Sequence, residues 1–290
     1  MSKSGRSTGA VLMIAAETCW ATAGVIVRSQ HVTNGWEITW WRSFFVVIFM
    51  LLVLRARGPV MQQLRAAGMA GVLSGLLLAI MMVCFIVAIS RTHVANVLII
   101  AATSPFFAAL LGFSLLRERV MPRTWIAMLV AFAGMALMLA EGVSMGGMGG
   151  ILIAFVVPLA YGFNIILLRR MHASVDMIPA VLLGGFLSAL LALPFATPFS
   201  AALPDLAWLA LMGVVQLGVG CILMTYAVRH LSAAEIGMFA PVEVIIGTLS
   251  TWLIIGEQPG RSALYGGVLV VGALAANEFV AWRRARLAVT

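Results

Sequence analysis

Two apolar stretches decide the fold of this chain: residues 68–89, GMAGVLSGLLLAIMMVCFIVAI, and residues 94–116, VANVLIIAATSPFFAALLGFSLL. Neither stretch contains a charged residue. At about 1.5 Å per residue, each is long enough to cross the roughly 30 Å hydrocarbon core of a membrane as a helix. Only Ser90, Arg91, Thr92 and His93 separate them. This polar break predicts a tight turn between two membrane-spanning helices.

The composition of the whole chain agrees with these two stretches. Of its 290 residues, 63% are hydrophobic and only 10% are charged, and its mean hydropathy is +1.10. Soluble domains average ~45–50% apolar and ~25% charged residues, so a soluble fold of this size would lack polar surface. Because the apolar runs are continuous rather than alternating, they favour helices over a β-barrel. We therefore predict an all-α integral membrane protein without a separate soluble domain.

Runs of about 20 apolar residues predict ten transmembrane helices. Their predicted ranges are 10–27, 38–54, 68–89, 94–116, 124–140, 148–168, 177–195, 205–227, 233–255 and 262–282.

The basic residues predict the orientation of these helices. Of 18 Lys and Arg, 14 fall at the two ends of the chain and in every second loop, whereas Arg28, Arg91 and Arg261 fall in the alternate loops and Arg42 within the second helix. Cytoplasmic loops of membrane proteins carry the excess of Lys and Arg. We predict a multi-pass protein of a bacterial inner membrane with both termini in the cytoplasm. The net charge of +8 is dispersed over many loops, so we predict no nucleic-acid binding.

The chain also carries a weak internal repeat, with residues 1–145 as the first half and 146–290 as the second. Shifts of 141 and 139 residues align similar residues in the two halves: Gly9 with Gly150, Trp20 with Tyr161, Arg28 with Arg169, Ala88 with Ala227, Ala95 with Ala234, Glu118 with Glu257, and Ala136 with Ala275. Each half holds five predicted helices. Because five is odd, the second half must enter the membrane from the opposite side, which gives the inverted repeat common in secondary transporters.

Several motifs give this architecture a family resemblance. Residues 101–119, AATSPFFAALLGFSLLRER, have a proline, an apolar run and a glutamate at the end, and Ile255-Gly256-Glu257 repeats that end in the second half. The chain resembles the drug/metabolite transporter superfamily and its EamA-type members, and it is most similar to the YddG-type aromatic amino-acid exporters. The resemblance implies two inverted five-helix repeats and export of amino acids. Pro241 lies three residues before the family's usual proline position, so the ninth helix is expected to bend elsewhere.

Charged residues inside the predicted spans are the first candidates for function, because burying a charge in a bilayer is costly. Glu243, about 15 Å into the ninth helix, is a candidate for proton coupling or for binding a substrate amine, or it is a structural carboxylate. Glu17 is the second candidate for proton coupling, and Ala16-Glu17 resembles the helix 1 motif of the small multidrug resistance proteins. Arg42 either binds a substrate carboxylate or snorkels to the nearby interface. Glu235 is predicted to favour a helix N-terminus.

Aromatic and amide side chains complete a predicted substrate-binding lining. Each can equally serve as a contact between helices. They are Trp20, Asn96, Tyr161, Asn164 and Tyr226.

The chain lacks the common catalytic and nucleotide-binding signatures, including HExxH, a Walker A loop and G-x-S-x-G. Its three cysteines, Cys19, Cys84 and Cys221, lie in apolar runs without metal-ligand spacing. We predict no enzyme activity, no cofactor and no metal, and a monomer or weak dimer. The favoured function is a secondary transporter that exports amino acids, aromatic or apolar ones, or related small metabolites by alternating access. The alternatives are a proton-coupled exporter of cationic drugs and, from a different class, a membrane enzyme or assembly subunit.

Overall fold

The computed structural model describes residues 3–117, 120–144, 148–171, 177–227, 229–231, 236 and 238–287. Over these ranges the chain is helical and has no strand. This confirms the predicted all-helical class. Glu118, Glu235 and the predicted boundary between the halves lie outside the described residues.

Fourteen α-helices and two π-helices make up this part of the chain. In chain order they are α1 (Lys3–Ala21), α2 (Ala23–Ser29), α3 (Gly35–Arg57), α4 (Val60–Ile89), α5 (Val94–Ala102), α6 (Ser104–Leu116), α7 (Pro122–Ser144), α8 (Met148–Ala154), α9 (Val156–Arg170), α10 (Met177–Ala196), α11 (Leu203–Leu211), π1 (Met212–Val219), α12 (Gly220–Ala227), α13 (Ala240–Ser250), π2 (Thr251–Ile255) and α14 (Arg261–Leu287).

The polar break at residues 90–93 is a turn, as predicted. Helix α4 ends at Ile89 and α5 begins at Val94. The amides of Ser90 and Thr92 donate to the carbonyl oxygens of Ile86 and Ala88, at 3.0 Å in both cases. The turn therefore satisfies the last backbone groups of α4 before the chain re-enters the bundle.

Three of the predicted spans are interrupted where the sequence indicated continuous helices. The breaks fall at Thr22, Thr103 and Phe155. At the first two, the threonine hydroxyl donates to the carbonyl oxygen three residues earlier, Cys19 or Ile100, at 2.6 Å in both cases. Side-chain hydroxyls of this kind satisfy backbone groups that a broken helix leaves free inside a membrane. The apolar pattern did not reveal these breaks because it continues through them.

Two further departures from regular α-helix concern the third and eighth predicted spans. Helix α4 begins at Val60, earlier than predicted, and Gly68 has φ 57° within it. This left-handed conformation is open to glycine without the usual steric penalty, so the helix bends there. In the eighth span, π1 widens the helix between α11 and α12. Such π segments are frequent at functional sites.

Within the described residues, seven helical segments are long and apolar enough to span a membrane, and two others, Pro122–Leu137 and Ala240–Ile255, are apolar but shorter. The structure thus supports a multi-pass membrane fold. The count of ten spans and the inverted repeat stay predictions.

The helices pack in a pattern that joins residues before 145 to residues after 148. Helix α10 packs against α3 and α4, α9 packs against α4 and α6, and α7 packs along α14. Helix α1 packs against α12 and α13, and α3 packs against π1. Most of these contacts therefore lie between the two predicted halves rather than within one of them.

The predicted orientation has a direct test in a variant without the native cysteines. Single cysteines at Ser4 and Thr290 should react with a membrane-impermeant thiol reagent only from the cytoplasmic side, because 14 of 18 basic residues lie on that side of the predicted topology. Labelling of intact cells and of inverted vesicles measures this. Reaction of either cysteine in intact cells would contradict the predicted topology.

Candidate functional site

Arg42 lies inside the bundle and does not reach the interface. Its side chain is among the largest that are fully buried, and the residue is 2% exposed. The Nη2 group donates to the carbonyl oxygen of Met82 at 2.8 Å, while Nε is buried with no hydrogen-bond partner among the described residues. The snorkelling interpretation of Arg42 is therefore wrong. A buried guanidinium with a free donor is suited to an anionic group such as a carboxylate.

Arg42 stands where the predicted halves meet. Its guanidinium lies close enough to Cys221 on α12 for an electrostatic interaction. Gly213 on π1 lies against the backbone of Arg42, at a position where a Cβ atom would collide with Phe45. Helix α3 and the π1–α12 segment therefore approach each other closely near Arg42.

The two acidic candidates, Glu17 and Glu243, lie on facing helices. Glu17 is 4% exposed and Glu243 is partly buried. Helix α1 packs against α13, and the two carboxyl groups are near enough to interact electrostatically. Two carboxylates in such proximity repel each other unless a proton or a cation is shared between them.

Trp20 connects these charged groups. It lies about one helical turn beyond Glu17 on α1, and its indole ring lies against Gly220, where any Cβ atom would overlap it. Gly220 directly precedes Cys221, the neighbour of Arg42. Trp20 also packs against the buried apolar cluster that contains Met82 and Cys221. Trp20 thus shares α1 with Glu17 and lies close to the segment that contains Cys221, the neighbour of Arg42.

The remaining predicted lining residues are more dispersed. Asn96 is buried on α5, where its Nδ2 donates to Thr92 Oγ1 at 3.3 Å. Asn164 is buried on α9, one turn after the partly buried Tyr161. The Oδ1 atoms of both asparagines are buried and have no hydrogen-bond partner among the described residues, so both retain capacity for a ligand.

Tyr226 lies apart from the interior groups. It is 40% exposed, its hydroxyl accepts from Arg57 Nη2 at 3.4 Å, and Arg229 lies 5.1 Å from its ring centroid. These arginines belong to the predicted cytoplasmic loops. The structure therefore places Tyr226 at that end of the bundle.

The sequence reasoning missed Gln216. This residue lies within π1 and is 3% exposed. Its Oε1 atom is buried and has no hydrogen-bond partner in the described part of the chain. The available signal was a lone amide side chain within the apolar run of the eighth span.

A polar network that the sequence did not indicate lies at the predicted outer end of the bundle. The term predicted outer end refers to the end of the bundle formed by residues 30–34, 90–93, 197–202 and 256–260. Here Arg28 Nε donates to Glu257 Oε2 at 2.6 Å and Arg28 Nη2 donates to the Thr92 carbonyl at 2.9 Å. The Val94 amide donates to Glu257 Oε1 at 2.8 Å, and His93 Nδ1 lies 3.3 Å from the same oxygen.

The donors around the Glu257 carboxyl favour its ionised form. Its partial burial raises its pKa, but the hydrogen bonds from Arg28 and Val94, with the nearby charge of Arg28, outweigh that effect. The result is a pKa below the usual value of 4.5. Glu257 therefore acts as an anion that joins three loops of the predicted outer end.

Two more acidic residues join the predicted halves at the same end. Glu37 is fully buried; it accepts from the amides of Ser200 and Ala201 at 2.7 and 2.8 Å, and from the Ser200 hydroxyl at 2.7 Å. Asp205 Oδ1 accepts from the His31 amide at 2.8 Å. Each contact connects a residue of the first predicted half with one of the second, so together they join the halves at this end.

Within the described ranges, the His, Cys, Asp and Glu side chains form no group of three or more that is suited to hold a metal ion.

Comparisons with known proteins identify the family. Residues 7–140 and, separately, residues 148–277 match the EamA-like transporter family. The pseudopaline exporter CntI of Pseudomonas aeruginosa is 25% identical over 271 residues, which cover 91% of this chain and 93% of the exporter. An S-adenosylmethionine uptake transporter of Rickettsia felis is 22% identical over 244 residues, which cover 83% of this chain and 81% of that transporter.

A solved structure supports the fold. One protein chain of known crystal structure is 18% identical and superposes with a TM-score of 0.67, covering 96% of this chain and 98% of its own length. At this identity the likeness concerns the fold alone. Since the two family matches span most of the sequence, the chain belongs to the EamA-like transporter family and is a membrane transporter, not an enzyme.

Proposed function

We propose that this protein is a secondary transporter that exports amino acids, aromatic or apolar ones, or related small metabolites by alternating access. The observation that carries this proposal is the buried Arg42, whose Nε lacks a partner among the described residues at the junction of the two halves. A substrate carboxylate would accept a hydrogen bond from this Nε donor. Trp20 beside it offers an apolar ring surface, and Glu17 with Glu243 offers a counter-charge for an amine.

The helix packing supports an inverted repeat for this transporter. The predicted repeat pairs helices 1 to 5 with helices 6 to 10 in the same order. The contact between helices 3 and 6 (α4 with α9) then has its counterpart in the contact between helices 8 and 1 (α12 with α1). Likewise, the contact between helices 4 and 6 (α6 with α9) has its counterpart in the contact between helices 9 and 1 (α13 with α1). The pairs 2–7 and 5–10 map onto themselves. A correspondence of this kind is expected for two related five-helix halves around a central site.

The network at the predicted outer end supports alternating access. Contacts of Glu257, Glu37 and Asp205 join the halves there. A rocking motion of one half against the other would have to break them before a central site could open on that side. The described conformation therefore corresponds to a state closed at that end.

Flux in proteoliposomes tests the proposed function. Purified protein should exchange labelled aromatic or apolar amino acids across the vesicle membrane, and the exchange should be saturable by unlabelled substrate. If the only flux is that of cationic dyes driven by a pH gradient, the amino-acid proposal fails and the drug-exporter alternative stands. The absence of flux for either class would reject both.

The acidic pair favours proton coupling as a second feature. Glu243→Gln should flatten the dependence of transport on pH, or abolish proton-driven flux while sparing exchange, because the amide keeps the shape of the side chain and cannot release a proton. Flux against pH, together with the melting temperature, measures this. Glu17→Gln serves as the matched variant on the facing helix. An unchanged pH dependence in a well-folded Glu243→Gln protein would remove Glu243 from coupling and leave Glu17 as the candidate.

A further inference from the structure

A groove between α7 and α14 stands apart from the site described above. It is a cavity of about 240 Å³. Its walls are almost entirely apolar, apart from one arginine and one asparagine; the lining residues are Arg123, Ile126, Ala127, Val130, Ala273, Ala276, Asn277 and Val280. Since α7 and α14 pack mainly on each other, the groove lies at the periphery of the bundle.

Arg123 is the charged member of this lining. Its Nε and Nη1 atoms are buried and have no hydrogen-bond partner among the described residues. The next residue, Thr124, donates through Oγ1 to Asn277 Oδ1 at 2.9 Å, which holds the two helices together beside the guanidinium. The groove thus combines a guanidinium that has unfilled donors with a fixed apolar wall.

The surroundings of the groove match a lipid environment. Ile126 is 63% exposed and Leu129 is 68% exposed on α7, and Val280 is 39% exposed on α14. Arg123 directly follows Pro122, the first residue of α7, so it lies at the level where the chain enters the membrane. This end carries most of the arginines, and anionic lipid headgroups are attracted to such positions.

We propose that this groove binds one anionic phospholipid, with the phosphate on the Arg123 guanidinium and an acyl chain along Ile126, Val130 and Ala273. A phosphate oxygen would accept the unfilled guanidinium donors in a charge-assisted hydrogen bond. A second copy of the chain is a poorer occupant. Docked through the same face about a two-fold axis, it would bring a second Arg123 and no carboxylate from this lining.

Lipid retention by the purified protein tests the proposal. In native mass spectrometry, the wild type should retain added phosphatidylglycerol at least about ten times more than phosphatidylcholine, and Arg123→Gln should lose this preference. Arg123→Lys should keep part of it because the charge remains. Ala276→Phe should lower lipid retention without a change of charge. Ala276 is an exposed residue of the groove lining, so the phenyl ring would occupy the space of the acyl chain.

The matched control is Arg65→Gln, which removes an exposed arginine of α4 at the same predicted end. It should leave lipid retention unchanged. Equal retention of phosphatidylglycerol by wild type and a folded Arg123→Gln protein would overturn the proposal. So would a dimer that buries this face and forms without lipid.

Discussion

Replacing Glu257 by glutamine should open the predicted outer end of the transporter. As a reporter we choose a cysteine at Thr251, which is 2% exposed and lies against Gly24 between α2 and π2. In a Thr251→Cys background without the native cysteines, Glu257→Gln should speed alkylation by a polar, membrane-impermeant thiol reagent by about tenfold. The rate of labelling in intact cells or outward-oriented vesicles measures this.

The expected size follows from the contacts that Glu257 makes. Its side chain is 14% exposed and that of Arg28 is 26% exposed, so solvent screens their ion pair only in part. Hydrogen bonds to charged groups contribute about 1.5–3 kcal/mol each. The glutamine side chain of the Glu257→Gln variant would keep an acceptor for the Val94 amide but lose the charge that holds Arg28. A loss of about 1.4 kcal/mol from the closed state lowers the ratio of closed to open protein tenfold.

Two controls make this result specific to the network. Arg261→Gln removes an exposed charge only four residues away and should leave the labelling rate unchanged. Glu37→Gln, which weakens the bonds to Ser200 and Ala201 at the same end, should raise the rate in the same direction as Glu257→Gln. If labelling of the reporter is unchanged in both acidic variants, this network does not hold the outer end closed.

The sequence predicted the all-helical membrane fold because hydropathy depends on local composition. Each predicted span needs only its own apolar run. The turn at residues 90–93 could be predicted because four consecutive polar residues are costly to place in the hydrocarbon. The helix breaks at Thr22 and Thr103 escaped notice because they do not alter hydropathy. They depend on a side-chain hydroxyl that replaces one backbone hydrogen bond.

The sequence predicted the interior site less completely, and the reason is again physical. Glu17, Arg42 and Glu243 stood out because each is a charge inside an apolar run. Which of them lie together depends on helix packing, which no single run specifies. The partners of Glu257 are 163 residues or more away in the chain, so the sequence marked that glutamate only as the end of a family motif.

Arg42→Met should strongly lower transport of carboxylate-bearing substrates while it leaves the protein at least as stable as the wild type. The guanidinium is buried with one hydrogen bond, to the Met82 carbonyl, in the described structure and with an unfilled Nε. Replacing a buried ionic group with an apolar side chain of similar volume is often neutral or stabilising. If Arg42 holds the substrate carboxylate, loss of that contact should lower transport efficiency at least about 30-fold, or about 2 kcal/mol.

Two further variants separate a substrate contact from a structural role. Arg42→Lys keeps the charge without the planar guanidinium, so it should retain part of the flux. Ser43→Ala removes the buried hydroxyl contact with Ser188, at 2.9 Å, one residue from Arg42. It should show the opposite pattern, a lower melting temperature with flux retained, because its hydroxyl joins α3 to α10 rather than to a substrate. A fall in the melting temperature of Arg42→Met with transport preserved would make Arg42 a structural cation. The buried polar groups Asn96, Asn164 and Gln216 would then be the next candidates for binding the substrate.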